Sequence, residues 1–465
     1  TVGFLDDPLG YPSYAVQFDS YTGPSGSSSI SRSAGMFANF NYSWDNRYLI
    51  DLTGRIDGSS NFASKQRSAP FWSAGVRWNI YNEKFMKTHG WFENLAVRAN
   101  IGTVGNQNFQ LSQIMTLYNF LKMYDGVMGA EIMSIANPEL KWQTTLNRNI
   151  GLEFSLLQGL VNLDFNYYSN ITKNNLTDIA ILPSTGFSTY KANMGKVRNQ
   201  GYEFSLSITP IKKNGWIVNA FVNGAHNKNK LLNISDALRD YNEVIKENQT
   251  AHLNYAGYTQ LERIFLFEEG QSLNSIFAVR SMGIDPGTGQ EIFVTADGVQ
   301  TFQWNAADQV VVGNTEPTLK GYFGLNVDYK RWSFGANFQY SFGADRYNKT
   351  LYEKIEGGNF AQNADRRALT QRWTKPGDVA KYRGYGNTSQ LKPTSRFVQK
   401  DDFLSMTSAR LSYTLNANDL QALGISLLKF TLSTNDLFYV STIKQERGLS
   451  YPFARTFYFS LQANF

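Results

Sequence analysis

The last eleven residues, RTFYFSLQANF (455–465), set Phe457, Phe459, Leu461, Ala463 and Phe465 at every second position, with Tyr458, Ser460, Gln462 and Asn464 between them. A period of two belongs to a strand, whose successive side chains project to opposite faces, so the segment carries one apolar and one polar face. The pattern recurs. Val161, Leu163, Phe165 and Tyr167 alternate with Asn162, Asp164 and Asn166, and Tyr202, Phe204, Leu206 and Ile208 alternate with Glu203, Ser205 and Ser207. Phe323, Leu325, Val327 and Tyr329 alternate with Gly324, Asn326 and Asp328. In RWSFGANFQYSF, Trp332, Phe334, Ala336, Phe338, Tyr340 and Phe342 oppose Ser333, Gly335, Asn337, Gln339 and Ser341.

A soluble sandwich also alternates, and residue choice separates the two cases. Aromatics make up 15% of the chain and charged residues 18%, against about 25% charged in a typical soluble domain. Phe, Tyr and Trp on one face with Ser, Asn, Gln and Gly on the other fit a membrane barrel with aromatic girdles and a wet lumen. The expected fold is therefore all-β: a transmembrane antiparallel β-barrel with long extracellular loops, occupying residues 1–465 as one unit. No apolar run approaches the roughly 18 residues of a membrane helix, and the mean hydropathy is −0.36.

Strands are expected near 13–21, 34–43, 47–57, 71–80, 94–103, 146–156, 160–170, 196–208, 215–226, 318–329, 331–342, 403–414, 427–435 and 456–465. The compact links WDNR, LLQG, ITPIKKNG and DYKRW, with moderate ones at 81–93 and 415–426, then alternate with long connections at 104–145, 227–317 and 343–402. Every long connection falls on the same rim, as outer-membrane barrels require.

Within the longest connection, SDALRDYNEVIKENQ sets Leu238, Tyr241, Val244 and Ile245 on one helical face, which predicts a short helix. GIDPGTGQEIF (283–293) reads as a Gly/Pro turn joining a hairpin. A calcium loop around Asp285 would need a ligand spacing that this stretch lacks.

Chemistry is sparse. There is no cysteine, and His89, His226 and His252 are far apart, so thiolate or paired-His metal sites are not expected and no cofactor is. Glu268 and Glu269 are adjacent rather than facing, and no nucleophile elbow, phosphate loop or dinucleotide turn occurs. The net charge of +6 comes from scattered residues, so no nucleic-acid partner is expected. The loop aromatics Trp304, Tyr382 and Tyr385 are candidates for ligand contact, by stacking on sugar rings or gripping a peptide. Pinning the loops to one another is the other reading of the same three residues.

Several motifs, in order, carry a family resemblance: GRIDGSSNF (54–62), APFWSAGVRWNI (69–80), LAVRANIGTVGNQ (95–107), NPELKWQTT (137–145), GLEFSLLQG (151–159), NKNKL (227–231), RWTKPGD (372–378), SRFVQKDDFLSMTSARLSYTL (395–415) and YPFARTFYFSLQANF (451–465). Together they resemble the SusC-like TonB-dependent transporters of Bacteroidota outer membranes. The resemblance implies a barrel of 22 strands, of which about 14 are read here, and the terminal Phe465 is similar to an assembly signal. It also implies partners: a chain carrying the plug and the remaining strands, TonB acting through that plug, a SusD-like surface lipoprotein, outer-membrane lipid, and an oligosaccharide or oligopeptide cargo, often in a two-fold assembly. The chain begins at Thr1 without Met and reads as a processed or split piece, or one missing its beginning.

Active import is the expected function. A passive porin, or an outer-membrane hydrolase with a loop-borne site, is the alternative, and a soluble β-rich carbohydrate-binding protein is a third.

Overall fold

The computed structural model describes residues 30–465 except 61–66, 87–90, 107–115, 125–126, 135–136, 138–140, 181–186, 188, 194, 248–265, 359–364, 386–390, 417–423 and 445–454. One antiparallel sheet dominates. In spatial order its strands are Ser33–Trp44, Tyr48–Ser59, Ser68–Asn79, Phe92–Asn106, Gln143–Leu156, Val161–Lys173, Gly195–Lys213, Trp216–Ile234, Leu319–Tyr329, Trp332–Phe342, Phe403–Asn416, Leu427–Asn435 and Thr456–Asn464. Sequence neighbours are spatial neighbours throughout, which is the up-and-down order of a barrel wall. Among the described residues the first and last of these strands form the two margins.

The sheet has 14 strands, although they are not the 14 expected. The expected strand at 13–21 lies outside the described residues, and the fourteenth is the short Tyr439–Ser441, paired to Phe403–Ser405. Several strands also run longer than the alternation suggested. ITPIKKNG is mostly strand rather than link: Gly195–Lys213 continues through a register shift between Ile208 and Ile211 and turns only at Asn214 and Gly215, with φ of 55° and 79°. Two successive left-handed residues match the right-handed twist of the flanking strands, and Asn-Gly adopts that conformation at little cost. At the same rim, Asp45 and Asn46 are left-handed and Arg47 N donates to Trp44 O at 2.9 Å.

Register explains why the alternation matters. One row crosses the sheet as Arg77, Arg98, Gly151, Asn166, Glu203, Ala225 and Lys320. The next row is Trp78, Val97, Leu152, Phe165, Phe204, Gly224 and Gly321. Moving one residue along each strand thus exchanges a polar wall for an apolar one. On the apolar side Phe334 and Phe459 are exposed, and Phe338 stacks on Phe323 with ring centroids 4.8 Å apart. In Phe403–Asn416 this parity is reset by a bulge: Asn337 pairs with Ser408 and Phe338 with Met406, leaving Thr407 as the extra residue.

Aromatic residues gather at the turn rim. Trp216 stacks on Tyr329 at 4.1 Å and Trp332 lies 4.7 Å from Tyr413. Further round, Trp44, Tyr48 and Trp78 follow one another across three strands. Such a band suits a membrane–water interface, where a ring buries its body and wets its edge. Glu83, just past this rim, accepts from Tyr48 Oη at 2.6 Å, Trp78 Nε1 at 3.0 Å and Arg47 Nη1 at 3.2 Å. These bonds, led by that from Tyr48, hold its carboxyl below the usual range.

The opposite rim carries the long excursions 107–142, 235–318 and 343–402. They are not structureless. The first contains the hairpin Leu117–Tyr124 with Val127–Ser134. The second opens with the expected helix, Asp236–Glu247, whose Leu238 is buried against Val197, Leu231 and Ile234. The side chains of Tyr241, Val244 and Ile245 lie outside the described residues. Beyond the helix, Ser275–Ile284, Glu291–Val294, Gln300–Thr301 and Gln309–Asn314 form a four-stranded sheet.

Candidate functional site

The inner wall is held by charge. Arg77 and Arg98 are direct cross-strand partners, an arrangement that costs free energy unless an anion lies between them. Glu153 supplies it: Arg77 donates to its two oxygens at 2.9 and 2.6 Å, and Arg98 Nη1 to Oε1 at 2.5 Å. Arg98 also reaches Asp164 at 3.2 Å and Asn166 at 2.7 Å. Its side chain lies across Gly151, where a Cβ would meet Arg98 Nε at 2.5 Å.

Toward the loop rim the wall becomes rich in carboxamides. Tyr168 Oη donates to Asn227 Oδ1 at 3.0 Å, Asn227 Nδ2 to Glu316 Oε1 at 3.0 Å, Asn229 Nδ2 to Asn199 Oδ1 at 2.8 Å and Asn274 Nδ2 to Glu316 Oε2 at 2.6 Å. A concavity of about 580 Å³ opens here, lined by Asn100, Asn149, Asn170, Asn199, Glu203 and Lys320 among others. A second, of about 560 Å³, lies beside it over Asp164, Ser205, Asn223 and Gln339. Carboxamides both donate and accept, so this surface can bond hydroxyls and peptide groups alike.

Above the wall, two of the excursions lock into one body. Glu291 comes from the second, and Glu356, Arg383 and Arg396 from the third. Arg396 donates to Glu291 through Nε at 3.1 Å and Nη2 at 2.9 Å and ion-pairs with Glu356 at 2.5 Å, while Arg383 Nε donates to Glu356 at 2.9 Å. Burial alone would lower the Arg396 pKa, but the two carboxylates more than offset it and the guanidinium is held above its ordinary value. Arg372 is satisfied differently: its guanidinium donates to the carbonyls of Ala368, Ile355 and Arg383 at 2.8, 2.8 and 3.1 Å, and to that of Glu356.

Two motifs of the sequence meet in this body. In GIDPGTG the Asp285 carboxylate accepts from Thr288 Oγ1 at 2.6 Å and from the amides of Gly287 and Thr288, so Asp285 closes a structural turn at the end of the expected hairpin. RWTKPGD docks on it: Trp373 Nε1 donates to Pro286 O at 2.8 Å, and Gly377 N to the same carbonyl at 2.9 Å. Gly289, at φ 72°, leaves room for the Trp373 ring, which a Cβ would meet at 2.5 Å.

The three loop aromatics are spread through this body rather than gathered at one point. Trp304 Nε1 donates to Pro393 O at 3.2 Å and Lys392 Nζ sits over its ring at 5.1 Å. Tyr385 is exposed, donates to Leu369 O at 3.3 Å and faces the Arg372 guanidinium. Tyr382 is 5% exposed and packs with Ile355 and Ala368. Glu269 is committed to Arg239 and the Ile234 amide, and His226 Nδ1 lies 2.6 Å from Thr318 O. His89 and His252 lie outside the described residues, and among the described residues no acidic or His cluster could hold a metal. Sequence reasoning missed the Asn199–Asn227–Glu316 surface and the Glu291–Arg396–Glu356 knot. The recurrence of Asn on the polar face of successive strands was the available signal for the first.

Comparison with known proteins agrees with this geometry. The family described as TonB dependent receptor-like, beta-barrel matches residues 2–262. TonB-dependent receptor P39 of Formosa agariphila is 28% identical over 442 residues, covering 87% of this chain and 42% of that protein. TonB-dependent receptor SusC of Bacteroides thetaiotaomicron is 27% identical, covering 70% of this chain and 33% of that protein. Among solved structures, that of the RagAB peptide transporter superposes with a TM-score of 0.78 at 25% identity, covering 94% of this chain and 47% of that one. The chain thus spans less than half the length of the relatives it matches.

Proposed function

We propose, from the premise that this chain belongs to the TonB dependent receptor-like β-barrel family, that it forms the wall and outer loops of a SusC-like importer in a Bacteroidota outer membrane. The single observation that carries the reading is the separation of faces and rims: an apolar outer face, a polar inner wall with concavities below the loops, and all long excursions on one rim. Its relatives are receptors and transporters rather than enzymes, and no acid, base and nucleophile meet among the described residues.

In this reading, closure of the barrel and the plug come from sequence outside the strands described, because an unpaired edge in lipid leaves backbone groups unsatisfied at several kcal/mol each. Energy arrives through contact of that plug with TonB. A SusD-like lipoprotein covers the loop rim, in a two-fold assembly. The cargo is an oligosaccharide or oligopeptide, for which the carboxamide surface offers paired donors and acceptors and Trp304 and Tyr385 offer ring faces.

Mass spectrometry of the intact purified assembly tests the proposal. A plug-bearing partner or segment and a tightly held lipoprotein are expected. An assembly without either, giving a steadily open conductance in planar bilayers, would replace import with a passive pore.

A further inference from the structure

The outer face changes chemistry near the loop rim. Between Trp216, in the turn-rim girdle, and His226 the strand advances ten residues, about 33 Å along its axis. At the usual barrel tilt this is about 25 Å of height, the thickness of an apolar band. At the upper limit of that band Tyr202 pairs with Tyr167 and His226, and its ring lies 5.2 Å from the His226 ring. These outward-facing residues form a second aromatic level.

Directly above it the same face turns basic. Lys228 lies opposite Gln200, one step up Arg198 lies opposite Lys230, and one more up Lys196 lies opposite Lys173. Two of these are like-charge cross-strand pairs, which destabilise a sheet unless an anion joins them. Among the described residues none of the five cations has an ion-pair partner, and Arg198 Nε is buried without a hydrogen bond. The nearby Glu269 is already bound to Arg239.

We propose that this patch binds the phosphate groups of a membrane lipid headgroup in the leaflet at the loop rim. The height of the patch above the apolar band, its outward direction and its uncompensated charge together select an anionic headgroup, since Lys and Arg reach upward from such positions to the interface. The inference rests on the outer-membrane reading given above.

The test uses the chain in its native assembly, reconstituted in phosphatidylcholine nanodiscs with and without diphosphorylated lipid A. Native mass spectrometry is expected to find lipid A retained by the wild type. Removing charge in Lys196→Gln/Arg198→Gln/Lys228→Gln/Lys230→Gln lowers retention by about fivefold per cation removed. The charge-preserving Lys196→Arg/Lys228→Arg/Lys230→Arg keeps it, and Lys320→Gln, on the inner wall, leaves it unchanged. Equal retention in the charge-removed protein overturns the inference, as does displacement of the lipid by inorganic phosphate at the same phosphate concentration. Migration on unboiled gels separates the two readings: a wild type that never shows a heat-modifiable barrel defeats the outer-membrane reading, whereas a normal barrel with indifferent lipid binding defeats this inference alone.

Discussion

Arg396 grips Glu291 with two charge-assisted hydrogen bonds across 105 residues of sequence. One contact thereby fixes the second excursion to the third, and the same guanidinium adds Glu356. Removing the cation leaves two carboxylates buried together, a loss of about 3–5 kcal/mol. Arg396→Met is expected to expose 275–400 to limited proteolysis while the barrel keeps its heat-modifiable migration. Unchanged protease resistance would deny the knot its role.

A second expectation concerns the inner wall. Glu153 bridges the facing Arg77 and Arg98, so Glu153→Gln keeps the shape while removing the charge between them. Thermal unfolding of the purified assembly should shift downward by a loss of about 1–3 kcal/mol. Raising the salt concentration should recover part of the loss, since screening weakens the half-buried Arg–Arg repulsion. A loss that salt leaves untouched would point to packing instead.

Acid should loosen one loop helix before the wall. Asp365 accepts from Arg367 through Nη2 at 2.7 Å, Nε at 3.0 Å and the amide at 2.8 Å, and these bonds, the Arg367 side chain foremost, bring its carboxyl to about 2. Because the folded value lies below the ordinary one near 3.8, the stabilisation is complete above that pH and fades as pH falls toward 2. Hydrogen exchange over 365–372 should rise in that window. Asp365→Asn should flatten the response, and an unaltered profile would remove Asp365 as its source.

Ligand contact is tested by truncating the half-buried Trp304 and the exposed Tyr385 separately from the buried Tyr382. Trp304→Ala and Tyr385→Ala are expected to weaken cargo retention by about 1–3 kcal/mol each if the rings stack on cargo, with protease resistance of the loops unchanged. Tyr382→Ala should instead cost about 3–5 kcal/mol of loop stability as a core truncation. If the Trp304 and Tyr385 truncations both loosen the loops and spare retention, the rings are pins.

Much of the wall was legible because a strand announces its faces locally: Phe334 and Phe338 stand on one side whatever the partner strand. The helix over Asp236–Glu247 was legible for the same reason, since Leu238 belongs to a 3.6-residue pattern. The strand extension past Ile208 was not, because Pro210 and the lysines around it resemble a turn, while the register shift there absorbs them into an edge of the hairpin. The loop body was hidden more deeply. Arg372 and Arg396 sit inside motifs visible in the sequence, yet their partners are carbonyls and carboxylates that only the folded path brings near.

A wall addressed by odd and even positions has a reading frame, and Thr407 is an inserted letter. Below it, Ser408, Arg410 and Ser412 meet the polar residues of Trp332–Phe342; above it, Ser405 does so only because one residue has been skipped. Deleting Thr407 would only straighten that strand, leaving Met406 opposite Phe338 and Ser408 opposite Asn337, whereas deleting one residue from the unbulged pairing of Leu319–Tyr329 with Trp332–Phe342 would put one half of a strand out of phase and send polar side chains toward hydrocarbon. Away from that bulge, insertions or deletions of single residues in these strands should therefore be far less tolerated than substitutions, and changes of two residues should be borne more easily than changes of one.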